Sequence, residues 1–276
     1  MTKKPPERKE GSDAATFVSR FWEFDVLRGI AIVLMVVYHC VFLVWMLAPT
    51  LADEVINPLS LGWLVVGRTA STLFLLLVGV SLVASFQKAS GGGGHDVAAR
   101  SILSWRQRMI GRSVQLFFWG VVLSVITTTF VPGYGIYFGI LHLIAVGCIV
   151  VLPMVNWPLV ALGATLFFGG GALWHPSWVG YLAERIPSFG IVVGVPPIGF
   201  QSVDYWPVFP WLALVTFGVA LGTLLFRGTQ RNYSWPSAQS FFCRPLSWLG
   251  ERSLLVYLIH IPVISSVLFL LLRFAL

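Results

Sequence analysis

Ionisable side chains interrupt several of the long apolar runs in this 276-residue chain. An ionised group in hydrocarbon costs roughly 2.5–3.5 kcal/mol, so such groups usually face a cavity or a partner. Histidine, with an ordinary pKa of about 6.5, is the natural proton acceptor there, and arginine stays charged and holds phosphate or carboxylate well. These residue types predict either base chemistry on a substrate whose anionic group is held by arginine, or the passage of an ion or substrate. The residues concerned are Asp25, Arg28, His39, Arg68, His142, Asp204 and His260.

Three of these residues share one face of the first predicted helix. Arg28 and His39 are 11 positions apart, which leaves them about 20° from alignment after three turns and about 16 Å apart along the axis. Asp25 precedes Arg28 by three positions and can pair with it. We therefore expect a polar stripe from the membrane edge to the middle of the bilayer. The alternative is that Arg28 reaches the lipid headgroups and His39 only packs.

Three other ionisable residues lie in three separate runs. Arg68 follows the start of the second run by about seven residues, roughly 10 Å below the membrane surface. His142 lies near the start of the fourth run, and His260 lies near the middle of the last one, where Pro262 removes a backbone hydrogen bond. If these groups converge, they form a buried polar cavity. If each reaches headgroups or packs alone, they form none.

Composition determines the class of protein in which these residues lie. The chain is 57% hydrophobic and 11% charged, against about 25% charged in soluble domains, which excludes a soluble fold. A spanning helix needs about 20 mostly apolar residues. We predict an all-α, polytopic membrane helix bundle of about seven transmembrane helices, forming one domain over 23–276 after a disordered tail over 1–22. Its apolar segments are Phe24–Leu47, Leu61–Phe86, Gly111–Phe130, Phe138–Met154, Leu159–Leu173, Phe209–Phe226 and Leu254–Phe274.

Two connections in this bundle have predicted structure. The fourth and fifth segments are short, and a tight turn between Pro153 and Pro158 joins them. We therefore expect a hairpin that barely crosses the membrane. The longest loop, Trp174–Pro207, is expected to be an ordered cap or a re-entrant stretch.

Charge patterning predicts the orientation. Most of the 18 Lys and Arg residues fall on one side when the N-terminus is cytoplasmic, as the positive-inside rule requires. The net charge of +7 therefore reflects topology and not nucleic-acid binding. Three cysteines without CxxC spacing predict neither a disulfide framework nor a metal site. We expect an integral protein of a bacterial-type cytoplasmic (inner) membrane with its N-terminus in the cytoplasm.

Segments in order along the chain carry a resemblance to known proteins: Glu23–His39, Gly67–Ser81, Phe138–His142, Asp204–Trp211 and Leu249–Pro262. Together they resemble the DUF1624 family, also called the heparan-α-glucosaminide N-acetyltransferase catalytic domain family. The Arg28-x10-His39 spacing is also similar to that of the transmembrane acyltransferase-3 families. The resemblance implies a membrane-bound acyltransferase that moves an acetyl group from acetyl-CoA, as co-substrate, to a sugar or other envelope acceptor.

The resemblance also implies roles for individual residues. His39 would be the general base for an acceptor hydroxyl or amine, a role that contributes about 10²–10⁴ in rate. Arg28 would lie near the phosphates or pantetheine of the acyl-CoA. Asp25, His142 and His260 complete the predicted catalytic set. The predicted substrate- and cofactor-binding residues are Arg68, Asp204, Tyr257, Arg108 and Arg112, the last two as candidates for the CoA phosphates.

Two other interpretations stay open. A carrier or flippase for a small anionic or lipid-linked substrate would also place arginines and histidines along its path. A structural subunit would use the same polar residues only to hold helices together. The lipid bilayer is the expected environment in each case, nucleic acid and metal are not expected partners, and the oligomeric state is left open.

Overall fold

The structure is a computed structural model that describes residues 21–47, 57–91, 95–131, 133–171, 177–227, 230–231 and 243–275. The tail predicted to be disordered lies outside the described residues except for Phe21 and Trp22, and Trp22 begins the first helix. The single domain expected over 23–276 stays a prediction.

The described ranges are almost entirely helical, as an all-α bundle requires. A short 3-10 turn, Leu152–Met154, follows the fourth helix, and Phe226–Arg227 pairs with Gln230–Arg231. The predicted fold class is confirmed. The helices are α1 (Trp22–Leu47), α2 (Leu61–Ser90), α3 (His95–Phe130), α4 (Ile140–Val150), α5 (Pro158–Gly170), α6 (Ser177–Arg185), α7 (Pro187–Val193), α8 (Val208–Leu225), α9 (Cys243–Glu251) and α10 (Ser253–Ala275).

Within the described ranges, 5 helices are long and apolar enough to cross a membrane, namely α1, α2, α3, α8 and α10. Helices α4 and α5 are apolar but have only 11 and 13 residues. They measure about 16 and 20 Å, against a hydrocarbon core of about 30 Å. They match the two segments that the sequence predicts to be short. The chain is an integral membrane protein, and its cytoplasmic N-terminus stays a prediction.

Helix α3 begins earlier than the apolar segment that predicted it. The segment starts at Gly111, whereas α3 starts at His95 and has 36 residues. Apolar content identifies only the part of a helix that contacts lipid, and the first part of α3 carries exposed arginines, Arg100 and Arg106 among them. A helix extends beyond the hydrocarbon wherever its backbone hydrogen bonds continue and its polar side chains face water.

Close backbone contacts set the positions of α2 and α8. The Cβ position of Gly79 on α2 is filled by the Val215 carbonyl of α8. Further along both helices, by about one turn of α2 and two turns of α8, the Cβ position of Gly222 lies against Val83. Small residues let spanning helices approach this closely. Since the two contacts advance in the same direction, the helices run parallel. Arg68 therefore lies beside the start of α8.

Helix α9 packs against the N-terminal end of α1 and is followed in the chain by α10. The Cβ position of Gly250 is filled by the Asp25 carbonyl, and that of Gly29 is filled by the Leu246 carbonyl. Helix α9 therefore lies directly against the first turns of α1. Because α10 begins at Ser253, it starts at this end and packs alongside α1. Residues in the middle of α1 thus face residues of α10.

The stretch before α8 pairs with the stretch before α4. The Trp206 N–H donates to the Phe138 carbonyl at 2.9 Å, and Tyr205 forms a parallel bridge with Phe138. Together with α6 and α7, this pairing gives an ordered structure to the described part of the loop Trp174–Pro207. Residues 174–176 of that loop lie outside the described residues.

Candidate active site

Two histidines from different spanning helices meet in the structure. The ring centroids of His39 on α1 and His260 on α10 are 4.8 Å apart, and the ring planes are inclined at 67°. His260 is 7% exposed, and His39 is half-buried. The convergence of groups from separate helices that the sequence leaves open is therefore found for these two residues, which we call the histidine pair.

The hydrogen bonds of both histidines leave the same nitrogen available. Nδ1 of His39 lies 2.8 Å from the Met35 carbonyl, and Nδ1 of His260 lies 2.6 Å from the Tyr257 carbonyl. A carbonyl oxygen only accepts, so in each neutral ring Nδ1 carries the proton and Nε2 carries the lone pair. Nε2 of His260 is buried and has no hydrogen-bond partner among the residues that the structure describes. Such imidazoles can accept a proton.

Tyr257 links His260 to the segment before α8. Its hydroxyl donates to Oδ2 of Asp204 at 3.2 Å, and the Ile140 N–H donates to the same oxygen at 3.0 Å. Asp204 thereby caps the N-terminus of α4, where the helix dipole favours negative charge. Burial raises the pKa of Asp204 above its ordinary value, and hydrogen bonds from Ile140, Trp206 and Tyr257 partly offset this effect. The carboxylate holds Tyr257, whose carbonyl orients His260.

Arg68 on α2 lies against two indole rings near this cluster. Its guanidinium carbon is 5.2 Å from the ring centroid of Trp206 and 4.7 Å from that of Trp211. These distances are typical of cation–π contacts. The two indoles also contact each other, with 4.6 Å between their centroids. The side chain of Arg68 is exposed, so the indoles support it without enclosing it.

Contacts between α1 and α2 connect Arg68 to the histidine pair. An added Cβ on the neighbouring Gly67 would come within 3.0 Å of the Tyr38 ring. The Tyr38 ring packs edge-on against His39, with 5.6 Å between centroids. Arg68, Tyr38 and the histidine pair therefore belong to one region of the molecule.

Asp25 and Arg28 form a second polar cluster, nearer the N-terminal end of α1. Nη1 of Arg28 lies 2.9 Å from Oδ1 of Asp25, and Nη2 lies 2.5 Å from the Ser81 hydroxyl on α2. The pairing of Asp25 with Arg28 that the spacing predicts is confirmed. The cluster is about 16 Å from His39 along α1. The structure therefore does not bring Arg28 into contact with the histidine pair.

His142 occupies a separate, packed position. Its Nδ1 accepts a hydrogen bond from the Gly139 N–H at 3.3 Å, so the neutral ring carries its proton on Nε2. The ring stacks on Phe138, and it covers Gly120 of α3, where an added Cβ would come within 2.8 Å of it. His142 therefore faces α3, and this geometry matches the packing alternative.

The two basic residues expected to hold CoA phosphates lie on α3. Arg108 is exposed and donates to the Ser104 hydroxyl at 3.1 Å. Arg112 is exposed as well. No hydrogen bond or ion pair in the described part of the chain joins either arginine to the histidine pair. The same ranges contain no group of three or more His, Cys, Asp or Glu placed to hold a metal ion.

Several residues of these clusters are not predicted from the sequence as site residues: Tyr38, Ser81, Trp206 and Trp211. All of them lie inside segments that carry the family resemblance, and that is the one signal that marks them. Serine and aromatic residues are ordinary components of spanning helices and membrane interfaces. Only the fold shows that the serine contacts Arg28 and the tryptophans contact Arg68.

Comparison with known proteins assigns the chain to a family. The family model described as heparan-alpha-glucosaminide N-acetyltransferase, catalytic, matches residues 20–262. This range contains both polar clusters and Arg68, and the match confirms the resemblance seen in the sequence. No curated protein and no solved structure matches the chain. The chain belongs to the heparan-α-glucosaminide N-acetyltransferase catalytic family, a family of membrane acetyltransferases.

Proposed function

We propose that this protein transfers an acetyl group from acetyl-CoA to an amine or hydroxyl of a sugar or another envelope component. Family membership supports acetyl transfer by a membrane protein. The observation that carries the proposal is the contact between His39 and His260, because both rings keep a lone pair on Nε2 and one of these nitrogens is buried. Attack on a thioester by an amine or hydroxyl requires a group that removes a proton.

The histidine pair supplies the proton transfers of this reaction. Nε2 of one histidine removes a proton from the attacking amine or hydroxyl as the new bond to the acetyl carbon forms. The C–S bond of the thioester then breaks, and the imidazolium returns the proton to the departing thiolate. The acceptor loses one hydrogen, CoA gains it, and the histidines end unchanged. A base of this kind contributes about 10²–10⁴ in rate.

Asp204 and Tyr257 are positioning residues in this proposal. One oxygen of Asp204 already accepts hydrogen bonds from the Ile140 N–H and the Tyr257 hydroxyl. This hydrogen bond links α10, one turn before His260, to the segment before α8, and in this proposal neither residue contacts substrate. Arg28 similarly holds α1 against α2 through Ser81.

Arg108 and Arg112 remain the candidates for binding the CoA phosphates. Their exposed side chains on α3 are accessible to a ligand. Guanidinium groups suit phosphate because their planar N–H donors match its oxygens.

Acetyl transfer by the purified protein tests the proposal. The assay uses radiolabelled acetyl-CoA and glucosamine, the sugar in the family's name, in a maltoside detergent. We expect product from the wild type and from His142→Gln, and a loss of at least about a hundredfold in His39→Gln or His260→Gln. Glutamine has a similar size but accepts no proton, so the three substitutions are matched. Equal transfer by all variants removes the histidine pair from the reaction.

The alternative function is that of a carrier. The positions of Arg28 on α1 and Arg68 on α2, at different levels of the bundle, favour this alternative. A carrier predicts counterflow of substrate in liposomes with no covalent product. An acetyltransferase predicts a labelled product in detergent, where there is no membrane to cross. Counterflow without product would replace the proposed function by transport.

A further inference from the structure

Arg68 is a charged residue of a spanning helix whose environment the proposed reaction does not explain. Its guanidinium lies over the indole rings of Trp206 and Trp211. No hydrogen bond or ion pair to it is found within the part of the chain that the structure describes. A guanidinium has five N–H donors, and an aromatic face offers none of the oxygen atoms that they require. Arg28, by comparison, donates to two side-chain oxygens.

The surroundings of Arg68 are held in place by neighbouring contacts. The Trp206 backbone N–H donates to the Phe138 carbonyl at 2.9 Å, and the Trp206 ring packs against Trp211. An arginine that only reached the lipid headgroups would need no such support, because its flexible side chain finds them unaided. The Arg68 side chain is also exposed, so the described part of the protein does not cover it.

Arg68 belongs to the same region of the molecule as the histidine pair, and its charge has no acidic partner in the contacts that the structure describes. Asp204, on the adjacent segment, is engaged by backbone and tyrosine donors. Tyr38 packs against His39, and an added Cβ on Gly67, the residue before Arg68, would come within 3.0 Å of the Tyr38 ring. The residue next to Arg68 therefore contacts the tyrosine that packs against the proposed base.

We propose that Arg68 binds an oxyanion of a substrate that reacts at the histidine pair, namely a phosphate, sulfate or carboxylate group held by charge-assisted hydrogen bonds. This inference rests on the proposed acetyl transfer. Two substrates can carry such a group, because CoA has phosphates and an acidic amino sugar has a sulfate or carboxylate. The chemistry at Arg68 is the same in both cases.

Ligand-dependent melting tests this binding without requiring turnover. The protein, in a phosphate-free maltoside detergent, is titrated with CoA, glucosamine 6-sulfate and uncharged glucosamine. A ligand specific to the folded state must raise the melting temperature. We expect at least one of the two anions to stabilise the wild type and to bind about tenfold more weakly to Arg68→Gln. Arg68→Lys keeps the charge but lacks the planar guanidinium group. Its affinity for the anion should therefore lie between that of the wild type and that of Arg68→Gln.

The matched control is Arg185→Gln, because the guanidinium of Arg185 also lies over a ring, that of Tyr181, at 4.3 Å. This variant should bind both anions as the wild type does. The melting temperature of Arg68→Gln without ligand shows whether it folds. If it does not fold, Arg68→Lys carries the comparison.

The anion that responds identifies its source. An Arg68-dependent shift with CoA, together with a KM for acetyl-CoA raised about tenfold, assigns Arg68 to the donor. The same pair of results with glucosamine 6-sulfate assigns it to the acceptor. If Arg68→Gln binds both anions like the wild type, the proposal is overturned. It is also overturned if only a short-chain phosphatidylglycerol gives an Arg68-dependent shift, because Arg68 is then a headgroup anchor.

Failure of the proposed acetyl transfer would give a different result. In that case no variant forms labelled product, while the Arg68-dependent shift in melting temperature persists. Failure of the inference alone leaves product formation intact and the KM values of Arg68→Gln unchanged.

Discussion

The Asp25–Arg28 cluster and the histidine pair lie along the same helix and differ in how far their polar atoms are satisfied. Arg28 donates to oxygens of Asp25 and Ser81. Nε2 of His260, in contrast, is buried with no hydrogen-bond partner in the described ranges. Leaving a buried polar atom unpaired costs about 1–3 kcal/mol, a cost that a purely structural cluster avoids. We therefore propose that the Asp25–Arg28 cluster serves stability and that the histidine pair serves chemistry.

The largest expected effect comes from removing the His260 ring from the histidine pair. His260→Ala should reduce acetyl transfer about 10²–10⁴-fold, because it removes the buried imidazole whose Nε2 has a lone pair available for the proton. Added imidazole should restore a measurable part of the rate, since it fits the space that the ring leaves. The measurement is product formation against imidazole concentration. Full activity in a folded His260→Ala protein would contradict the catalytic role that distinguishes the histidine pair from the Asp25–Arg28 cluster.

The next largest effect is expected in the stability of the protein and concerns the Asp25–Arg28 cluster. Arg28→Met should lower the free energy of unfolding by about 3–5 kcal/mol, because it breaks the ion pair between Arg28 and the buried Asp25 carboxylate. The double variant Asp25→Asn, Arg28→Met should recover part of this loss. Thermal unfolding in detergent measures both, with transfer per folded molecule measured beside it. A normal melting temperature with a raised KM for acetyl-CoA would instead support a role of Arg28 in binding the donor.

The helices were predictable because lipid imposes a simple requirement on the sequence. A spanning segment must be apolar and satisfy its backbone internally, so α1 and α2 begin and end within a few residues of the predicted segments. The early start of α3 was missed because its first turns are polar and lie outside the apolar segment. The short lengths of α4 and α5 followed from their apolar runs.

The candidate site was predictable only in part. Helical spacing placed Arg28 and His39 on one face, but their separation along the axis keeps them in different clusters. The contact of His39 with His260 depends on α9, which lies against α1 where Gly250 meets the Asp25 carbonyl. The periodicity of a single helix shows which residues share a face, but it does not predict which residues of another helix that face contacts. The choice of His260 over His142 likewise depends on which ring nitrogen the local backbone engages.

A smaller effect should follow from loosening the support of His260. Tyr257→Phe removes the hydroxyl that donates to Asp204, and it should cost about 0.5–1.5 kcal/mol in stability. Because the Tyr257 carbonyl still orients His260, the rate of transfer should fall only a few-fold. Unfolding and initial rates are measured on the same preparation. A loss of rate as large as that of His260→Ala would make Tyr257 part of the chemistry.

The smallest expected effect is on the pH dependence of stability. Burial raises the pKa of Asp204 in the folded protein, so the folded state binds this proton more tightly than the unfolded chain does. Stability should therefore decrease as the pH rises from about 3.9, the ordinary value, through the raised one. Asp204→Asn should remove that slope in unfolding experiments. A wild-type slope of opposite sign would show that the capping hydrogen bonds outweigh burial.

The most direct test of the histidine pair is the ¹⁵N spectrum of protein labelled in its 5 histidine rings, with signals assigned by single substitutions. The chemical shifts report which ring nitrogen carries the proton. We expect His39 and His260 to be neutral, with the proton on Nδ1 and the lone pair on Nε2, and His142 to show the opposite arrangement. Protonated Nε2 atoms in His39 and His260 at neutral pH would contradict the account, because no base would then be available.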